Sequence, residues 1–209
     1  MTRGLFITFE GGEGAGKTTQ IKRLAAALGG DVVVTREPGG TPEAEALRDT
    51  FFKNKGQEWP AEALVLLMFS ARVLHTEKLV KPTLESGKTV LCDRYTDSTR
   101  AYQGYAGNLP LEKIERIKEL SIGDFEPDLT FIFDIDPAIG LKRTQDRRGT
   151  ESSFEEKGNT FHQKLRKGYL DIAAKNPDRC IVIDAAQDEN TIAQEILLNI
   201  KKKQADLKA

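Results

Sequence analysis

Gly11-Gly12-Glu13-Gly14-Ala15-Gly16-Lys17-Thr18 meets every fixed position of the pattern G-x-x-x-x-G-K-[ST]. Immediately upstream, Leu5-Phe6-Ile7-Thr8-Phe9 is an apolar, aromatic and β-branched run that reads as a buried strand. Downstream, Thr18–Leu28 places Ile21, Leu24 and Leu28 on one helical face. Strand, glycine turn and helix, in that order, form the setting in which this pattern binds phosphate rather than merely turning the chain. Glycines allow backbone N–H groups to converge on an anion. The helix start adds partial positive charge. Lys17 can reach the β- and γ-phosphates of a nucleoside triphosphate, and the Thr18 hydroxyl can ligate Mg²⁺. Residues Gly11, Gly12, Glu13, Gly14, Ala15, Gly16, Lys17 and Thr18 are therefore expected to hold the phosphates of a nucleoside triphosphate.

Working outward, four more apolar runs follow: Asp31 to Thr35, Thr89 to Cys92, Leu129 to Phe133 and Cys180 to Ile183. Each is continuous rather than alternating, as in strands buried on both faces of a parallel sheet. Helical stretches separate them, roughly Thr18–Leu28, Pro42–Phe52, Ala61–Ser86, Leu111–Ile122, Pro137–Arg147, Asn159–Ala174 and Glu189–Lys202. The alternation predicts an α/β fold: a three-layer P-loop NTPase sandwich, its five-stranded parallel sheet flanked by helices. The 209 residues suit one domain, 1–209. Thr99–Pro110, with Gly104, Gly107 and Asn108, reads as a mobile loop over a site. Arg143–Gly158, charged and short of core residues, reads as a second mobile stretch.

Composition narrows the function class. A net charge of −1 gives no global pull towards nucleic acid or anionic membrane. No apolar stretch approaches the roughly 20 residues of a membrane span. Met1-Thr2-Arg3-Gly4 leaves no room for a signal peptide before the first strand. Cys92 and Cys180 lie in apolar runs and read as buried free thiols. The expectation is a cytoplasmic protein with no nucleic-acid or membrane partner. Lys201-Lys202-Lys203 reads as a solvated helix end.

A phosphate loop alone specifies only a nucleoside triphosphate. Ligands of open α/β sheets bind beyond the C-terminal ends of strands, and four polar stretches lie there or nearby. Asp93-Arg94-Tyr95 follows Thr89–Cys92; the carboxylate suits Mg²⁺ and the planar, permanently charged arginine suits a second phosphate. A structural ion pair is the alternative. Thr35-Arg36-Glu37-Pro38-Gly39-Gly40-Thr41 is a tight turn after a strand, or a plain strand–helix connection. Phe69 and Arg72 share a helix face, where an aromatic could stack on a base beside a donor, or simply fill the core. Ser98-Thr99-Arg100-Ala101-Tyr102-Gln103-Gly104 offers a polar wall or a polar loop. Apart from these four, the arginines between Lys142 and Lys167 can close over phosphates or form a solvated charged surface.

The set Phe9–Thr19, Thr35–Thr41 and Asp93-Arg94-Tyr95 through Ala101-Tyr102-Gln103-Gly104 resembles thymidylate kinase, of the nucleoside-monophosphate kinase group, over nearly the whole chain. The resemblance implies Mg²⁺-dependent transfer of the ATP γ-phosphoryl group to dTMP, giving dTDP and ADP for dTTP synthesis. Alternatives are a kinase for another (deoxy)nucleotide, or a P-loop ATPase switch. It implies that Lys17 holds ATP phosphates and Glu13 faces the acceptor 3′-hydroxyl. Arg94 would bind the acceptor phosphate, with Arg36 nearby, and Arg72 the thymine O4. Thr99 and Gln103 would meet the base edge beside Ser98, and Tyr102 would disfavour a ribose hydroxyl. Pro38 would follow a cis peptide. Thr18, Asp93 and Glu155 would serve the metal.

Gly14 and Ala15 are small, as in bacterial relatives whose catalytic arginines lie in a lid. Here that lid is about residues 143–158, carrying Arg143, Arg147 and Arg148. Ser152-Ser153-Phe154-Glu155 lacks one arginine common in that lid, which leaves Arg148 as the leading transition-state cation. Phe69 is taken as the base-stacking ring, although the usual ring–arginine spacing of four would fall on Met68. A homodimer through long helices such as Ala61–Ser86 is also implied.

Overall fold

The computed structural model describes residues 3–53, 59–145 and 158–206. The strands are β1 (Phe6–Gly11), β2 (Val32–Arg36), β3 (Thr89–Asp93), β4 (Leu129–Asp134) and β5 (Cys180–Asp184). They form one parallel sheet in the order β2-β3-β1-β4-β5. The phosphate-loop strand is therefore central, and its C-terminal end abuts the ends of β3 and β4. The helices are α1 (Lys17–Leu28), α2 (Pro42–Lys53), α3 (Ala61–His75), α4 (Lys81–Glu85), α5 (Thr96–Thr99), α6 (Leu111–Ile122), α7 (Pro137–Gln145), α8 (Asn159–Lys175) and α9 (Glu189–Asp206). Edge strand β2 starts at Val32, one residue later than the apolar run suggests, because Gly29–Asp31 forms a 3₁₀ turn.

Side-chain alternation in β1 divides the core into its layers. Ile7 and Phe9 face Ile21 and Leu24 of α1 and Ile192, Ile196 and Ile200 of α9. Phe6 faces the other way, with Val90 and Cys92, against Val65, Phe69, Val80, Leu84 and Ile114. A third cluster joins Ile132 of β4 to Leu165, Tyr169 and Ile172 of α8 and to Ala101 and Tyr102. Burying each such large apolar side chain stabilises the fold by about 1.5–3 kcal/mol. Cys92 and Cys180 are free and buried, as their apolar runs suggest.

Two stretches depart from the sequence expectation. Ala61–Ser86 is not one uniform helix: a π-helical turn, Thr76–Val80, separates α3 from α4. The wider turn carries the chain past Pro82, which cannot donate to the preceding turn. Thr99–Ala106 is helical rather than looped, and Gly107–Pro110 alone is a turn and irregular chain. After α5, Arg100–Ala106 forms a second π-helical segment. It is held by ions that sequence spacing does not reveal. Asp97, 2% exposed, pairs with Arg179 at 2.6 Å and Arg100 at 2.8 Å. Arg100 pairs further with Glu115 and Glu126.

Candidate active site

The phosphate loop leaves β1 at Gly11 and enters α1 through Gly16, the N-cap, whose φ of 89° is left-handed. The side chain of Lys17 folds back so that Nζ donates to the Gly11 and Gly12 carbonyls at 3.1 and 3.0 Å. Burial lowers its pKa, followed by the neighbouring charge of Arg94; Asp93, Glu13 and Glu10 oppose. Gly14 stands where α7 touches the loop. A Cβ there would lie 1.9 Å from the Gly140 carbonyl oxygen, and φ is 68°. Only glycine fits.

Opposite the loop, β3 ends in Asp93, and the chain then turns through Arg94 with φ of 71°, a left-handed conformation unusual for a side-chain-bearing residue. Such backbone outliers concentrate at functional sites. The turn aims the guanidinium back at the loop: Nη1 donates to Gly11 O, Ser98 Oγ and the Tyr169 hydroxyl, and Nη2 to Glu13 Oε1 at 3.0 Å. Tyr102 donates to the same Glu13 oxygen at 2.7 Å, and its ring lies under Arg94, 5.0 Å away. Burial pushes the Glu13 carboxyl upwards, but Arg94 and Lys17 outweigh it and hold its pKa below the usual value. Glu13 is thus a carboxylate between two cations.

Between these walls is a cavity of about 320 Å³, within the range of small-molecule sites. Glu13–Thr19 and Asp93 line one part; Arg36, Pro38, Arg72, Arg94, Ser98, Thr99, Tyr102 and Gln103 line the rest. Lys17, Thr18, Arg36, Arg72, Asp93, Arg94 and Tyr102, all expected from sequence, thus share one cleft, and the peptide before Pro38 is cis. Arg72 is 3% exposed. Its Nε donates to Glu37 at 2.7 Å, and Nη2 donates to the Tyr95 carbonyl and Thr99 Oγ1. Its Nη1 is buried without a hydrogen-bond partner. A buried, unpaired guanidinium nitrogen is costly, and Arg72 is among the residues that line the cavity.

Arg36 is half exposed and pairs with Glu45 at the cavity rim. Phe69 requires a correction: it is 1% exposed, sits in the core, and does not line the cavity. It lies 4.5 Å beneath Arg72 and supports the arginine instead. Met68 is on the cavity wall. Arg143 lies in α7, where Nη1 donates to the Ala185 carbonyl at 3.2 Å, so in this arrangement it is a helix–strand tie. Arg147, Arg148 and Glu155 lie outside the described residues.

The implied Mg²⁺ can be weighed against the side chains at the loop. Thr18 Oγ1 donates to Asp93 Oδ2 at 3.0 Å, which places two hard oxygen ligands side by side where the α1 N-terminus meets β3. Mg²⁺ takes few protein ligands and completes its shell with water and phosphate oxygens. The pair fits that requirement, although no cluster of three or more His, Cys, Asp or Glu occurs among the described residues.

Several site residues escaped the sequence reading. Glu37 bridges Arg72 and His75, whose Nε2 contacts Thr35 Oγ1 at 2.8 Å. Gly40 has no room for a Cβ against that pair, which would lie 2.5 Å from Thr35 Oγ1. Arg48 lines the cavity and donates to the Pro38 carbonyl at 2.8 Å. Glu10 and Tyr169 lie behind Arg94. Charged residues in buried strands or helices were the available signal.

Comparison with known proteins decides which phosphate-loop family this cleft represents. The family model described as Thymidylate kinase matches residues 9–196. The chain belongs to the thymidylate kinase family. Among its thymidylate kinase relatives, the protein of Caulobacter vibrioides is 49% identical over 199 residues, 94% of this chain and 95% of its own. The thymidylate kinase of Afipia carboxidovorans is 48% identical, over 93% of this chain and 87% of its own. The crystal structure of thymidylate kinase from Ehrlichia chaffeensis superposes with a TM-score of 0.78 at 36% identity, covering 95% of this chain and 99% of that one. The five-stranded parallel sheet and its flanking helices are thus the thymidylate kinase architecture.

Proposed function

We propose that the cleft transfers the γ-phosphoryl group of ATP to dTMP, giving dTDP and ADP. The chain is a phosphotransferase, a dTMP kinase (EC 2.7.4.9), serving dTTP synthesis. The observation that carries the acceptor reading is Arg72, a buried guanidinium with an unpartnered Nη1, lining the same cavity as the phosphate loop. A guanidinium only donates, so it donates to a carbonyl at the base edge and disfavours an amino group there.

Arg94 holds the acceptor phosphate, with Arg36 at the rim. Glu13 takes the sugar 3′-hydroxyl on Oε2, which no hydrogen bond among the described residues uses. Tyr102 fills the space that a 2′-hydroxyl would need. Thr99, Gln103 and Ser98 complete the acceptor wall, and Met68 rather than Phe69 packs against the base. Thr18 and Asp93 hold Mg²⁺, which neutralises phosphate charge when bound.

A phosphate monoester oxygen is already a nucleophile near neutral pH. One of its oxygens forms the new bond to the γ-phosphorus as the bond to the β–γ bridging oxygen breaks and ADP leaves. No strong general base is required. This chain contributes alignment and positive charge, from Lys17, the loop amides and arginines from the 143–158 segment, Arg148 foremost. Exposed Leu66 on α3 and Leu120 on α6 supply apolar surface for a homodimer. No helix among the described residues is long and apolar enough to cross a membrane; we place the enzyme in the cytoplasm.

The test is coupled ADP release with ATP and Mg²⁺, comparing dTMP, dUMP, UMP, CMP, AMP and thymidine as acceptors. Turnover on dTMP with little on UMP or CMP is expected. ADP release that ignores every acceptor would defeat the assignment and favour an ATPase switch.

A further inference from the structure

Glu10 closes the run of buried side chains in β1 and is 0% exposed. It shares a face with Phe6 and Thr8, where an apolar residue would be expected. A carboxyl there loses hydration that only polar partners can offset. Each of its hydrogen bonds leads to the surroundings of Arg94. Oε1 accepts the backbone N–H of Tyr95, the residue after Arg94, at 2.7 Å. Oε2 accepts the hydroxyls of Ser98 at 2.6 Å and Tyr169 at 3.2 Å.

The same two hydroxyl oxygens accept Arg94 Nη1, at 3.2 and 3.1 Å. A hydroxyl has one hydrogen to give. Ser98 gives its hydrogen to the carboxyl, and Tyr169 gives its own to the carboxyl or to Ser98 Oγ, 2.9 Å away, so lone pairs of both hydroxyls face the guanidinium. Gly11 O is the third acceptor on Nη1, and Glu13 holds Nη2. Among the described residues no hydrogen bond uses Nε. The hydroxyls therefore fix one end of the fork and leave the Nε edge to a ligand.

We propose that Glu10, acting through Ser98 and Tyr169, is a positioning residue that orients Arg94 towards the phosphate of the acceptor nucleotide without touching the substrate. The inference rests on Arg94 as the acceptor-phosphate residue. It assigns a role to a side chain that lies behind the cleft rather than on its wall. Glu10→Gln keeps the shape but supplies only one acceptor oxygen, so the two hydroxyls and the Tyr95 N–H can no longer all be satisfied.

The experiment is titration calorimetry of the intact protein with dTMP and with thymidine, which lacks the phosphate. Wild type is expected to bind dTMP more tightly than thymidine. In Glu10→Gln, dTMP binding should weaken roughly tenfold while thymidine binding changes less than about twofold. Tyr169→Phe, which removes one hydroxyl from a packed ring, should shift dTMP alone by roughly threefold. It carries the test if Glu10→Gln does not fold. Equal weakening of both ligands, or no change in either, would overturn the inference. Wild type binding dTMP no better than thymidine would overturn the Arg94 reading, and this inference with it.

Discussion

The two walls of the cleft are built on different principles. The phosphate-loop wall is backbone: glycines, an α1 N-terminus and one lysine resting on loop carbonyls. The acceptor wall is side chains held by other side chains, with Arg94 tied to Glu13, Ser98 and Tyr169, and Arg72 to Glu37 and Thr99. A backbone cradle recognises what all nucleoside triphosphates share. Discrimination between acceptors needs directional donors, and buried donors need counter-ions. Changes on the first wall should therefore impair turnover with any acceptor, whereas changes on the second should alter which acceptor is used and how stability responds to pH.

The sharpest test of the first wall is Lys17→Ala. It should lower kcat by roughly 10³-fold, the scale of one lost electrostatic contact to a transition state, and do so for every acceptor. Equal kcat in coupled ADP release would end the distinction.

Behind the second wall, Glu10 gives a pH signature. Burial first, then the charge of Asp97, push its carboxyl up from 4.5 to about 7, against Ser98, Arg94 and the Tyr95 N–H. Lys17, Cys92, Tyr169 and Cys180 also feel its charge. A raised folded-state pKa means that the native state binds more protons than the unfolded chain. The associated stability is complete below pH 4.5 and is lost as pH rises through about 7. The loss is about 3 kcal/mol. Denaturant unfolding of Glu10→Gln across that interval should show a correspondingly flatter pH dependence; a slope equal to wild type would remove Glu10 as its source.

Arg94→Ala comes next. It should raise the dTMP KM by roughly 10²-fold, as expected for losing a charge-assisted fork, and leave the ATP KM within about twofold. A larger effect on ATP than on dTMP would merge the two walls. The smallest effect is expected from Arg72→Lys. Lysine can still pair with Glu37 but has no fork, so the preference for dTMP over dCMP in kcat/KM should fall roughly tenfold. An unchanged ratio would place base reading elsewhere.

The same contrast explains what the sequence made legible. Phosphate-loop chemistry is local, and the eight residues Gly11–Thr18 carry it in one stretch. The parallel sheet was visible as continuous apolar runs, since burial on both faces leaves little alternation. The acceptor wall joins distant positions: Glu10 and Tyr169 are 159 residues apart, and Glu37 and His75 are 38 apart. No local period encodes such pairs. A carboxylate at Glu10, directly after an apolar strand run, was the trace they left in the sequence. The π-helical segments were hidden for another reason: they lie beside Pro82 and beside the buried ion pairs of Asp97, neither of which a hydrophobic repeat displays. Spacing placed Phe69 and Arg72 on one face, but did not show that the arginine would lie over the ring and line the cavity in its place.

The contact between Gly14 and Gly140 carries a broader consequence. Two main chains meet there with no side chain between them, so the loop has surrendered its lateral space to a neighbouring helix. A loop crowded in this way cannot carry its own mobile cation at that point. Any positive charge wanted beyond Lys17 and the loop amides then has to be supplied from another part of the chain. Competence for chemistry is then a property of the assembled cleft, and a nucleoside triphosphate in the loop alone meets only half of the machinery.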